Sequence, residues 1–267
     1  MEQLIALTSN FILLSFSIAL KPERQIMLTR VKESPLARNE CSVTNIVFPQ
    51  PGQLRSRKVI SRSNSKPTIK YPSWKNSRMI HCESKHELNA CFLLDADVSV
   101  KSFSEQPCRI DFTVSEDQKL SHYPDFLIVK ENSYKEFWEV KANLEVESED
   151  VFLRGQVLKN LLPDLGYEYR LVCGKEMSAQ SELNNARYLT RHGRTPLSIK
   201  TFDLALNQFL DMGVSCWEDF TPFKHTTKNT SVLCRLILES FVSYDLDSEI
   251  SSSSKIWWNS NSKGLEV

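Results

Sequence analysis

The 267-residue sequence predicts an α/β fold with a central mixed sheet, followed by a small winged-helix-like unit. Three observations carry that expectation. From residue 82 to 173 the hydrophobic period is helical, then alternating, then helical, then alternating again, and a helix between strands allows parallel pairing beside hairpin pairing. Within that run, His122 to Ala142 holds two alternating stretches, HYPDFLIV and EFWEVKA, around a short polar interruption. Beyond residue 200, two amphipathic helices precede a serine-rich hairpin, which is the order of a winged helix.

Leu4 to Leu20 is apolar but interrupted by Thr8, Ser9, Asn10, Ser15 and Ser17, with Glu2 before it and no small-residue cleavage site ahead of Lys21-Pro22. It reads as a leader, with Met27 as an alternative start, rather than as a signal peptide or membrane span. Met27 to Gln53 has Pro35, Pro49, Pro51 and Gly52 and no period, so residues 1–54 are assigned to a leader and disordered arm. Arg55 to Arg78 then carries eight basic residues and no acid, interleaved with Tyr71 and Trp74. A solvated basic linker would have this composition. The lack of acid favours a DNA-contacting arm made of Arg55, Arg57, Lys58, Arg62, Lys66, Lys70, Lys75 and Arg78.

In ESKHELNACFLLDAD, Ser84 caps a helix with Glu87 three residues on, and Leu88, Cys91, Phe92 and Leu94 form its buried stripe. Glu87 lies at the edge of that stripe and has two readings, capping partner and site carboxylate. Val98 to Phe103 and Cys108 to Val114 read as strands joined by Ser104-Glu105-Gln106-Pro107, and SEDQKLS as a polar turn. Past the hairpin, Ser148 or Asp150 caps a helix that Pro163 and Gly166 stop, and Tyr167 to Cys173 returns as a strand. Gln156 on this helix reads either as a supporting residue of the site or as an exposed amide. Leu183 to His192 connects a main domain, 55–180, to a separate unit, 181–260, with 261–267 as a tail.

The second unit comprises helices at Thr201 to Met212 and Ser231 to Ser240, with strands at Phe241 to Leu246 and Lys255 to Trp258. Its acids Glu218, Asp219, Asp245, Asp247 and Glu249 would repel phosphate, so a protein-docking role is expected. Charge is uneven along the chain. Residues 1–80 hold thirteen Lys and Arg against four Glu, net +9, and since the whole chain is neutral the rest carries −9. That suggests a polyanion at one end and a protein at the other. Seven cysteines without a CxxC pair or zinc-spaced histidine read as thiols of a reduced, intracellular protein. His81, His86, His122, His192 and His225 never stand i, i+4 to one another and read as surface or supporting residues.

The chemistry is concentrated in the hairpin. With a loop centred on Asn132, the register sets Asp125 opposite Glu139, Cβ atoms roughly 4.5–5.5 Å apart. Phe137, Glu139 and Lys141 share one face while Trp138 and Val140 point away. The two carboxylates repel unless a divalent cation lies between them, and Mg²⁺ takes one or two carboxylates with waters and phosphate oxygens. Lys141 on the same face can hold or activate a water, or offset charge on a phosphate. These are the parts of metal-assisted phosphodiester hydrolysis. An acid-x-Lys triplet alone is weak, since Glu83-Ser84-Lys85 and Asp117-Gln118-Lys119 are two more, and the same side chains would also make an ion-pair cluster.

Six segments taken in order are specific: RKVISRS (57–63), YPSWKNSRMIHCES (71–84), ELNACFLLDAD (87–97), VKSFSEQPCRIDF (100–112), HYPDFLIV (122–129) and EFWEVKA (136–142). Together they resemble the TnsA family of heteromeric transposases. The resemblance implies a restriction-endonuclease-like fold of the PD-(D/E)xK class and phosphodiester hydrolysis with Mg²⁺, Mn²⁺ serving as substitute. It implies cleavage at the 5′ ends of a transposon, on double-stranded DNA, beside a DDE-type recombinase subunit (TnsB-like). An AAA+ ATPase regulator (TnsC-like) would dock on the C-terminal winged helix, in a bacterial cytoplasm and without a membrane. Carried onto this chain, the metal ligands fall on Asp125, Glu139 and the Val140 carbonyl, with Glu87 reaching the metal directly or through water, and Lys141 is the active-site lysine. The hydrophobic leader departs from the family pattern. Two other readings stand beside this one: a stand-alone restriction or repair nuclease of the same fold, and a catalytically silent DNA-tethering adaptor.

Overall fold

The computed structural model describes residues 41–57, 68–115, 118–212, 214–223, 226–246 and 248–259. The expected leader at 1–40 lies outside them, as do Lys58, Arg62 and Lys66. In chain order, β1 (Ser42–Val47) precedes a hairpin of β2 (Ile69–Ser73) and β3 (Arg78–Cys82), then α1 (Lys85–Ala96). Five strands follow: β4 (Val100–Glu105), β5 (Arg109–Ser115), β6 (Gln118–His122), β7 (Phe126–Lys130) and β8 (Lys135–Lys141). Helix α2 (Glu149–Leu161) leads to β9 (Glu168–Cys173), then α3 (Gly174–Ser178) and α4 (Ser181–His192). The chain closes with α5 (Ile199–Met212), α6 (Thr226–Leu238) and the hairpin β10 (Val242–Tyr244), β11 (Ile256–Trp258).

The fold is mixed α/β, and its central sheet is itself mixed. The order is β4-β7-β8-β9, antiparallel except for the β8–β9 pair, whose parallel run is made possible by α2 between them. The two faces of β8 separate two cores, as alternation requires. Trp138 and Val140 meet α1 and the β2–β3 hairpin, with Phe126 and Ile128 fully buried among them. Phe137 meets Val157, Leu158 and Leu162 of α2 and its flank. Burying side chains of this size contributes roughly 1.5–3 kcal/mol each.

The β7–β8 register follows from its loop. Ser133 takes a left-handed φ of 66°, the Asn132 side chain accepts the Tyr134 N–H at 3.1 Å, and Lys130 N–H bonds Tyr134 O at 2.8 Å. Phe126 therefore pairs with Trp138 and Leu127 with Phe137. One step further out, Asp125 N–H donates to Trp138 O at 2.9 Å. The regular ladder therefore ends at Phe126, and Asp125 stands at the sheet end beside Glu139 rather than in the direct pair with it that alternation alone predicts.

Four further expectations change. The stretch assigned to a disordered arm contains β1, an edge strand paired to β5 with Val43 and Ile46 against the α2-side core. The polar turn SEDQKLS gives way at Gln118 to β6, which pairs with β5 and ends at His122. The basic stretch is largely folded: Tyr71 and Ser73 are buried and donate to the equally buried Asp95 of α1 at 2.8 and 2.7 Å. The C-terminal unit is not separate in its packing, because Phe92, Leu93 and Ala96 of α1 share one apolar cluster with α4, α5, α6 and the last hairpin.

Three of the proposed DNA contacts are consumed by this folding. The Lys75 ammonium donates to the carbonyls of Leu94 (3.1 Å), Asp97 and Val100 (2.8 Å), closing the C-terminal end of α1, and burial lowers its pKa to about 8. Arg55 and Arg78 both bind Glu105, at 2.8 and 2.6 Å. Lys70 is exposed. Among the described residues no helix is long and apolar enough to cross a membrane, and all seven cysteines are free thiols.

Candidate active site

A cleft of about 400 Å³ opens at the end of the central sheet, where the N-terminus of α1 meets the approach to β7 and the end of β8. Glu87, Asp125, Glu139, Val140 and Lys141 all line it. Asp125 is fixed by two strands: its Oδ2 accepts the Val140 N–H at 2.7 Å, and its Oδ1 receives only a long 3.4 Å contact from Gln106 Nε2. Glu139, 4 % exposed, takes Lys141 Nζ on Oε1 at 2.7 Å, with an Arg154 guanidinium nitrogen 3.5 Å away on the same oxygen. His122 Nε2 stands 2.9 Å from its Oε2.

Glu87 realises its capping reading while facing the cleft. The Ser84 hydroxyl accepts the Glu87 N–H at 3.1 Å and donates back to Oε1 at 3.0 Å, and Glu83 N–H donates to Oε2 at 2.8 Å. Both carboxylate oxygens thus hold the first turn of α1.

The electrostatics divide the acids. Burial, then the charges of Glu139 and Glu87, raise the Asp125 carboxyl well above the usual range, and the Val140 N–H and Lys141 only partly oppose this. Burial also raises Glu87, against the hydrogen bonds that it accepts. Glu139 goes the other way: burial would raise it, but the close His122 imidazole and then Lys141 hold it at about 2. One acid pushed up beside one pulled down is the signature of a crowded anionic site.

Among the described residues no three His, Cys, Asp or Glu side chains already converge as a formed metal cage. Mg²⁺ does not require one, since two carboxylates with waters and phosphate oxygens suffice. Asp125 Oδ1 has its one distant donor, and Glu139 Oε2 is buried without a properly directed hydrogen bond. Asp125 and Glu139 therefore fit a cation of this kind, and Glu87 fits only through water while its cap is intact.

Gln106 and Arg154 escaped the sequence reading, and His86, His122 and Arg57 were given no defined place at the cleft by it. His122 closes β6 and touches both Glu139 and the Tyr169 hydroxyl, the latter at 3.1 Å. Gln106, in a left-handed conformation at φ 46°, bonds Asp125 O through its N–H at 2.8 Å and accepts Arg57 Nε at 2.8 Å. Arg57 also pairs with Glu83 at 2.9 Å and lies over the Tyr123 ring, so this member of the basic stretch stands at the cleft mouth. Gln156 does not line the cleft. The reach from α2 belongs to Arg154, two residues earlier, because half a helical turn separates their directions. His86 is a cleft wall packed on Gly174, where a Cβ would stand 2.3 Å from the ring. Signals existed for some of these: His122 is three residues before Asp125, and Gln106 sits in the S-E-Q-P turn.

Compared with models of known protein families and with curated proteins, the chain matches none.

Proposed function

We propose that the chain is a Mg²⁺-dependent DNA endonuclease with a restriction-endonuclease-like core. In this reading it cuts the 5′ ends of a transposon beside a DDE-type recombinase and an AAA+ ATPase regulator. The supporting observation is that Glu87, Asp125, Glu139 and Lys141, four residues picked out by the resemblance to TnsA proteins, line one cleft. The acidic character of that cleft calls for a cation, and the cation of choice for phosphodiester chemistry is Mg²⁺.

Asp125 and Glu139, with the Val140 carbonyl, would hold the metal. Bound Mg²⁺ supplies Lewis-acid polarisation of the scissile phosphate and a more acidic water. The chain's own groups do the rest. Val140 N–H and Gln106 orient Asp125, Arg154 backs Glu139, and Lys141 lies where it can orient the attacking water and offset charge building on the phosphate oxygens. The run of α5, α6 and β10–β11 supports a winged-helix-like unit for docking the ATPase, and its exposed Glu249 disfavours DNA there.

The test is strand cleavage by the assembled complex. Asp125→Ala is expected to lower the rate by about 1,000-fold, the scale of losing a group that stabilises transition-state charge. A folded variant cutting at the wild-type rate would sink the assignment. A second reading, the catalytically silent DNA-tethering adaptor, draws on the partners already around Glu139 and Glu87. Such a cluster needs no metal, so it predicts no Mg²⁺ or Mn²⁺ binding.

A further inference from the structure

We infer that the exposed face of α4 and its C-terminal flank, carrying Arg187, Arg191 and Arg194, is the track on which the backbone of duplex DNA runs away from the cleft. The choice of ligand rests on the nuclease reading above. The need for such a surface arises because Lys75, Arg55 and Arg78, expected in a DNA-contacting arm, are held inside the fold.

The three arginines stand at i, i+4 and i+7 and are all exposed. Arg187 and Arg191 therefore share one face of α4, and Arg194, two residues past the helix end, lies over the Tyr71 ring beside the Phe92 ring that Arg187 covers, so the three can meet about three phosphates along one strand. None pairs with a carboxylate of a described residue. Arg187 donates to Asn89 Oδ1 at 2.8 Å, Arg194 donates to the Thr190 carbonyl at 2.9 Å, and Arg191 has no hydrogen bond or ion pair among the described residues. One turn before Arg187, Asn184 donates to the exposed Glu249 at 2.6 Å, so the basic track begins at Arg187 and runs away from that acid.

The fold also holds two of these groups ready. The Arg187 guanidinium lies 5.7 Å over the Phe92 ring and that of Arg194 6.0 Å over the Tyr71 ring, and the two rings meet edge-on at 4.9 Å. Guanidinium planes resting on aromatic faces lose less freedom on meeting a phosphate, and their outward N–H groups suit a bidentate contact. The path to the cleft is short. Asn89, which anchors Arg187, is one turn along α1 from the cleft wall at His86, about 4.5 Å of rise. On the same helix Lys85 is exposed four residues before Asn89 and extends the basic line toward the cleft.

The test is equilibrium binding of the full chain to a 30-base-pair duplex of arbitrary sequence, in EDTA, across a salt series. Arg191→Gln is expected to weaken binding about eightfold at 0.1 M salt and to reduce the salt slope by about 0.9, as loss of one phosphate contact does. The triple Arg187→Gln/Arg191→Gln/Arg194→Gln variant should lower the slope by about 2.7, three times that contribution. Lys159→Gln, at the far end of α2 across the sheet, should change neither. Because Arg187 and Arg194 also pack on rings, the single Arg191 variant carries the decision if the triple unfolds. Wild-type affinity and slope in Arg191→Gln would overturn the track, and so would a wild-type chain that binds no duplex. Metal binding without DNA tests the nuclease reading independently, so the two can fail separately.

Discussion

Two acidic centres meet at the Glu105-Gln106 dipeptide, one around the buried Glu105 and one around the half-buried Asp125, and their electrostatics are opposed. Glu105, 1 % exposed, accepts Arg78 twice (3.0 and 2.6 Å), Arg55 at 2.8 Å and the His81 N–H at 3.2 Å. Burial alone would raise its pKa, yet these partners hold it below the ordinary value. Asp125, reached through the Gln106 backbone, faces Glu139 and Glu87 instead, and its carboxyl is pushed up. A buried acid with its countercharges in place serves the fold. One set against its own kind is held in a state that a proton or a bound cation would relieve.

Removing one negative charge should therefore have opposite signs in the two centres. Glu105→Gln leaves two arginines without their carboxylate and should destabilise by about 3–5 kcal/mol in denaturant titrations. Its pH dependence sharpens the point. A carboxyl with a lowered folded pKa contributes stability that is full above the unfolded value and is lost as pH falls through the folded one. The wild type should thus lose stability more steeply than Glu105→Gln below about pH 4.5. A destabilisation by Glu105→Gln of equal size at acid and neutral pH would show that the centre is not held by charge.

Asp125→Asn should do the reverse, and on a smaller scale. The amide oxygen can still accept the Val140 N–H while the repulsion is gone, so at neutral pH stability should rise by about 1 kcal/mol. A raised folded pKa means that the native state holds a proton which the unfolded chain has released, so the wild type is penalised above that range. The gain in Asp125→Asn should accordingly vanish in acid. A loss of stability at neutral pH would place Asp125 in the same class as Glu105.

What the sequence revealed of these two centres was governed by separation along the chain. Asp125 and Glu139 are linked by a hairpin whose loop chemistry at Asn132 and Ser133 is local, so the β7–β8 register that brings both to one sheet end could be read from alternation. The Ser84–Glu87 cap is local too. Arg55 and Arg78 meet Glu105 across 50 and 27 residues, and nothing local distinguishes an arginine bound for a buried carboxylate from one bound for a phosphate. β1 was missed for the same reason: its strand character depends on β5, more than sixty residues away. His122 acquires its place beside Glu139 only when β6 pairs with β5, and Arg154 only when α2 packs over β9.

If the proposed function is right, Asp125 and Glu139 repel each other in a way that a bound cation relieves. The most direct test is calorimetric titration of Mg²⁺ or Mn²⁺ into the wild-type chain and Asp125→Ala, repeated in buffers of different ionisation heat. The wild type should bind with release of a proton from Asp125, more tightly as pH rises, and Asp125→Ala should show no binding. Equal binding by the two chains, or none by the wild type, would rule out a cation site at Asp125.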